Sequence, residues 1–158
     1  VCTYGRSKAD AERRVADAWS KALVVRTSAF FGPWDRYNFV HGVLRDLAQG
    51  REVQASGQSL VSPTYVPDLA HAALDLLIDG ATGIWHLANK GEISWHDLAA
   101  TVAHEAGVDS AALVKIGGGR SGITALSSER GLIMPSLNDA IQRFVLECSV
   151  AWQEKAAA

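Results

Sequence analysis

Cysteine is scarce in this chain of 158 residues, and its placement excludes two common architectures. Cys2 and Cys148 lie at opposite ends with no CxxC or metal-type spacing, so neither a disulfide framework nor a zinc site is expected, and no metal is assigned. Two free thiols in a reducing cytoplasm is the reading they support. Positive charge is not in excess either: 15 Lys and Arg stand against 17 Asp and Glu, for a net charge of -2. Without a basic stripe to meet phosphates, nucleic acid and membrane surfaces are not expected partners. No apolar run is long enough to cross a bilayer, and the N-terminus lacks a secretory layout, so a cytoplasmic protein is expected. No initiator methionine and no first strand precede Val1-Cys2-Thr3-Tyr4, which gives the expectation of a piece of a longer polypeptide.

What is present is an ordinary globular composition, 48% hydrophobic and 20% charged, with enough length for one core. Helical spacing of Ala11, Val15, Ala18 and Trp19 predicts an amphipathic helix over residues 7–19. The apolar, β-branched run at 22–31 ends at Gly32-Pro33 and reads as one parallel strand buried on both faces. Arg26 inside it should then have a carboxylate or carbonyl partner. A helix followed by such a strand is half of a βαβ unit, and the chain has too few strands to complete the sheet alone.

A second helix is predicted at 38–49, with Phe39, Val40, Val43, Leu44 and Leu47 inward and Gly50 as its stop. Two short strand pieces flank Gly57, and a helix follows from Asp68 to Ile78 with Pro67 near its first turn. Asp68 there needs only the helix dipole to explain it. A strand is read at 84–88, where His86 between apolar neighbours reads as a satisfied core or edge histidine. Ser94-Trp95-His96-Asp97 has the form of a capping box before a helix to Ala106, and Ser136-Leu137-Asn138-Asp139 repeats it before a last helix, 140–152. A strand at 112–116 leads into the glycine-rich 117–122, which lacks the Lys-Ser/Thr of a phosphate loop and reads as a linker.

Tyr4-Gly5-Arg6-Ser7-Lys8 sets a phenol and an ammonium four residues apart, on one face of a helix. Such a pair suits carbonyl reduction, because a nearby cation stabilises the phenolate. Alone, the spacing is weak. With Arg26-Thr27-Ser28, Phe31-Gly32-Pro33, Asn38-Phe39, Ser62-Pro63-Thr64-Tyr65, Asp68-Leu69-Ala70, Gly83-Ile84-Trp85-His86-Leu87-Ala88, Ser94-Trp95 and Ala125-Leu126-Ser127-Ser128 in order behind it, the chain resembles the extended short-chain dehydrogenase/reductases, and among them the dTDP-4-dehydrorhamnose reductase group.

The resemblance implies an α/β fold: the C-terminal portion of a Rossmann-type doubly wound parallel sheet, plus a small mixed α/β substrate-binding region. Residues 1–35 would be the last part of the NAD(P)-binding unit, and 36–158 the substrate-binding region. It implies a cytoplasmic oxidoreductase of dTDP-rhamnose biosynthesis that reduces a nucleotide-linked 4-keto-deoxysugar with NADPH or NADH, NADPH being favoured. Tyr4 would give the proton to the sugar carbonyl, and Lys8 would lower its pKa and hold the nicotinamide ribose. Thr27 and Ser28, at a strand end, would line the nicotinamide pocket. Asn38, Phe39, Ser62, Thr64 and Tyr65 would approach the nucleotide-sugar, although Phe39 also reads as helix core and Asn38 as a cap.

A homodimer is the expected assembly. The Gly-rich dinucleotide loop and the upstream Ser/Thr of the family's triad are absent, so cofactor would be bound mainly by a segment outside these residues and this piece alone is expected to be inactive. Ala29 stands where many members carry Trp, and the segments 57–61 and 120–122 also depart, which leaves sugar and nucleotide open. A second reading is a non-catalytic binding or regulatory module of the same fold, resembling the regulatory subunit of methionine adenosyltransferase.

Overall fold

The computed structural model describes residues 3–117 and 125–156, and the glycine-rich expectation at 117–122 falls, except for Gly117, outside the described residues. Helix α1 (Thr3–Ala18) leads into strand β1 (Leu23–Arg26), which pairs in parallel with β6 (Gly83–His86), with Leu23 opposite Gly83 and Arg26 opposite His86. Strand β2 (Phe30–Phe31) pairs in parallel with β5 (Thr64–Tyr65), and β3 (Val53–Ser56) with β8 (Leu113–Ile116). The antiparallel pair is β4 (Leu60–Val61) with β7 (Ile93–Ser94). Helices α2 (Phe39–Ala48), α3 (Val66–Ile78), α4 (Trp95–Glu105) and α5 (Leu137–Ala156) complete the mixed α/β arrangement.

The single strand expected at 22–31 is two strands. It breaks at Thr27–Ala29, where Ala29 takes φ 46, and hands over from one partner strand to another. A left-handed residue turns the chain where an extended run would have carried it straight on. The Ala29 carbonyl accepts from Thr64 N at 3.0 Å, which fixes the bend against β5. Burial on both faces is also corrected: β1 is only partly buried and Phe30 is 54% exposed. No residue of α1 is buried, and the helix starts at Thr3, ahead of the expected residue 7.

The helices follow their patterns. Val40, Val43, Leu44 and Leu47 repeat at helical spacing and bury one face of α2, which packs on α4 through Ala99 and Ala103. A larger cluster joins Phe31, Leu44, Tyr65, Leu98, Ile141 and Phe144, so α5 closes over the β2–β5 pair. Pro67 lies in the first turn of α3, where its missing N–H costs nothing.

The capping box at Ser94 forms in altered shape. Ser94 Oγ accepts from Asp97 N at 3.0 Å as expected, but the Asp97 carboxylate accepts from the Ser94 hydroxyl at 2.7 Å rather than from a backbone N–H. His96, hydrogen-bonded to it, and Ser94 hold the Asp97 carboxyl below its ordinary pKa. Ser94→Ala removes both bonds from a residue only 2% exposed, and is expected to cost about 1 kcal/mol in urea unfolding. The second cap forms by half: Ser136 Oγ accepts from Asp139 N at 3.2 Å, while the Asp139 carboxylate accepts from Arg143 Nε at 2.9 Å.

Candidate active site

Helix α1 places Tyr4 and Lys8 one turn apart, with the Lys8 ammonium 5.6 Å from the centroid of the Tyr4 ring. Tyr4 is 70% exposed. Among the described residues Lys8 makes no ion pair. One turn further along, Glu12 ties the helix to the end of β1: its carboxylate takes Arg26 Nε at 2.9 Å and Nη2 at 2.6 Å. The Arg26 guanidinium, through that hydrogen bond, holds Glu12 below the ordinary carboxylate range. Arg26 thus has the carboxylate it was expected to have, but at 43% side-chain exposure it is not buried.

Beyond Arg26 lies His86. Its Nδ1 is 2.7 Å from the Ser127 carbonyl and its Nε2 is 3.4 Å from Arg26 Nη1. A carbonyl only accepts, so Nδ1 carries the proton and Nε2 receives from Arg26. His86 is therefore a satisfied histidine, as the sequence suggested.

Thr27 and Ser28 follow at the carboxyl end of β1, both half-buried, and Thr27 Oγ1 donates to Thr64 Oγ1 at 3.1 Å. Thr64 and Tyr65 are 0% exposed and Ser62 is 2% exposed, so the structure turns these three side chains inward. Ser62 Oγ accepts from Leu126 N at 2.9 Å. The Tyr65 ring packs on Phe31 with centroids 5.2 Å apart and carries the Arg143 guanidinium 5.1 Å above it. Burial, aided by the neighbouring Glu147 carboxylate, raises the Tyr65 phenol well above its ordinary pKa.

Asn38 caps α2, accepting from His41 N at 3.0 Å and donating to the Gly32 carbonyl at 3.1 Å. Phe39 sets its ring edge-on to Trp95, centroids 4.7 Å apart. Both structural roles foreseen for this pair are present.

Sequence reading missed a buried polar hub. Asn89, 1% exposed, accepts from Tyr65 N at 2.7 Å and donates to Asp68 Oδ2 at 2.7 Å. Arg143 grips the same carboxylate through Nη1 at 2.8 Å and Nη2 at 2.7 Å. Asp68 does lie in the first turn of α3, but its carboxylate is consumed by this pair, so the dipole alone does not account for it. Three partners from distant segments leave no local spacing that could have signalled the hub.

Under α2, His41 Nε2 lies 3.3 Å from the Pro33 carbonyl and 3.6 Å from Cys148 Sγ. Burial pushes the Cys148 thiol up to about 11, which makes it a poor nucleophile. Burial lowers the His41 pKa from 6.5, outweighing the Pro33 carbonyl and Asp35, which raise it. The unfolded chain therefore binds the His41 proton first. This contribution to stability is whole above about pH 6.5 and is lost as pH falls through the folded value. Urea midpoints are expected to fall between about pH 7 and about pH 5, and His41→Gln to flatten that slope.

Residues 1–129 match the family model described as the RmlD substrate binding domain. The chain belongs to that family. Among RmlD relatives, a dTDP-4-dehydrorhamnose reductase of Mycobacterium tuberculosis is 40% identical over 108 residues, covering 67% of this chain and 35% of the relative. The spore coat polysaccharide biosynthesis protein SpsK of Bacillus subtilis is 32% identical over 110 residues, covering 70% and 38%. The crystal structure of a dTDP-4-dehydrorhamnose reductase from Bacillus anthracis, in complex with NADP, superposes with a TM-score of 0.81 at 28% identity, covering 91% of this chain and 54% of that one. The chain thus spans about half the length of that RmlD structure and little more than a third of the curated relatives. Among the described residues no helix is long and apolar enough to cross a membrane, and no group of His, Cys, Asp and Glu is arranged to hold a metal ion.

Proposed function

We propose that this chain is the proton-donating and substrate-binding part of an NAD(P)H-dependent reductase acting on a nucleotide-linked 4-keto-6-deoxysugar. The observation that carries the reading is the Tyr4–Lys8 pair, exposed on a helix none of whose residues is buried, with the Lys8 ammonium unpaired among the described residues. The names of the relatives supply the substrate class, and the NADP complex of the Bacillus anthracis protein supplies the cofactor. The same names do not favour a non-catalytic module.

The residues present fit the nicotinamide end of such a cofactor. Lys8 offers a cation to ribose hydroxyls, and Thr27 offers a hydroxyl at a strand end, where ligands of open α/β sheets gather. The dinucleotide's phosphates would be held by residues outside these 158, because the stretch with glycine-loop spacing, 117–122, reads as a linker. In this reading residues 1–35 belong to the nucleotide-binding unit and 36–158 to the substrate region.

The bound cofactor would supply a hydride to the sugar's carbonyl carbon. Tyr4 delivers the proton to the carbonyl oxygen, and Lys8 stabilises the negative charge left on the phenolic oxygen. Asn38 and Phe39 shape the wall toward the nucleotide-sugar at the start of α2, while Ser62, Thr64 and Tyr65 set the backbone of β5 from within. The free Cys148 suits a reducing compartment, and the reading places the protein in the cytoplasm.

The test is NADPH consumption by the full-length protein carrying this chain when given dTDP-4-dehydrorhamnose, with the reduced sugar identified by mass. Turnover supports the reading. NADPH binding with no consumption across a panel of nucleotide-linked 4-keto sugars would replace it with the binding-module reading.

A further inference from the structure

The Thr27 hydroxyl is not free to choose its direction. Its oxygen lies 3.1 Å from Thr64 Oγ1, which in turn lies 3.4 Å from the Ser62 carbonyl oxygen. Thr64 is fully buried, out of reach of bulk water. The Ser62 carbonyl has no proton to give, so the Thr64 proton points there and the Thr64 oxygen is left to accept. The Thr27 proton is then spent on Thr64. What the half-buried Thr27 retains for a ligand is lone pairs.

We infer that Thr64 is a positioning residue that makes Thr27 an acceptor-only group, so that the nicotinamide pocket selects a cofactor whose ring carries an amide N–H donor. This rests on the reading above, in which Thr27 lines that pocket. A sugar hydroxyl can donate or accept and would meet Thr27 in either state. The carboxamide NH2 can only donate, and it is the group to which a locked acceptor gives discrimination.

The lock is held from behind. Thr64 N donates to the Ala29 carbonyl at 3.0 Å, Thr64 pairs with Phe30 across the strands, and the next residue's N–H is held by Asn89 at 2.7 Å. Ser62 is fixed in turn by Leu126 N on its hydroxyl. Thr64 therefore sits on backbone that other contacts have already immobilised.

The experiment compares the full-length protein's affinity for NADPH and for its 3-acetylpyridine analogue, which keeps the ring carbonyl and replaces NH2 with methyl, by titration calorimetry. The parent is expected to bind NADPH about tenfold more tightly than the analogue, the worth of one buried hydrogen bond. Thr64→Val keeps the β-branched shape, removes the oxygen and frees the Thr27 proton; the preference should shrink to about twofold or less. Thr64→Ser restores the hydroxyl and should restore the preference. A ratio of two affinities is insensitive to a general loosening of the pocket, which weakens both ligands alike. Equal affinities in the parent, or an undiminished preference in Thr64→Val, would overturn the inference. Failure of the parent to bind either dinucleotide would overturn the reductase reading as well.

Discussion

Tyr4→Phe in the full-length protein is expected to lower kcat by about 10²- to 10⁴-fold, the range of a lost general acid, with little change in NADPH affinity. The substitution removes one oxygen from a side chain that is 70% exposed on a helix with no buried residue. Nothing in the packing depends on that oxygen, so the melting temperature should not move. The loss would lie in the proton step alone, because the Lys8 ammonium and the Thr27 hydroxyl remain to meet the cofactor. Steady-state NADPH oxidation measures the first quantity and calorimetric titration the second. Unchanged turnover would remove Tyr4 from the mechanism.

Asp68→Ala is expected to destabilise the fold by about 3 kcal/mol, the low end of the cost of breaking a buried pair from one side. The carboxylate is nearly closed off, with 6% side-chain exposure, while Arg143 keeps 35% and recovers part of its hydration when its partner is lost. Asn89 has no such recourse: at 1% exposure its Nδ2 would keep only the Pro135 carbonyl, at 3.3 Å. For a chain of this size the loss corresponds to a fall in melting temperature of roughly 6–12 °C. Asp68→Asn keeps the shape and one acceptor oxygen but not the charge, and should fall between the parent and Asp68→Ala. A loss below about 1 kcal/mol for Asp68→Ala would mean that the pair behaves like a solvated surface bridge.

The parts of the fold that could be read from the sequence are those whose causes are local. Helix α2 announces itself through Val40, Val43, Leu44 and Leu47 at helical spacing and through Asn38 at its head, and α4 and α5 through Ser94 and Ser136. Tyr4 and Lys8 were legible because one helical turn brings them together whatever surrounds them. The break at Thr27–Ala29 was not, because it comes from a change of partner strand: Leu23 to Arg26 follow β6, while Phe30 and Phe31 follow β5. Strands β5 and β7 have two residues each, too few to show a period. The Asp68–Arg143 pair joins residues 75 apart, and neither neighbourhood names the other. For the same reason Ser62, Thr64 and Tyr65 stand out as a motif, while their inward orientation appears only in three dimensions.

Helix α1 carries the proposed acid, yet none of its 16 residues is buried. A helix of that length is marginal in water without a face to pack on, and here the Glu12–Arg26 bridge supplies part of the anchorage. Its amides should therefore exchange with deuterium sooner than those of α2 or α4, and sooner still in high salt, where an exposed bridge is screened. A bound dinucleotide held by Lys8 would slow that exchange, so the order of α1 would become a thermodynamic reporter of cofactor occupancy.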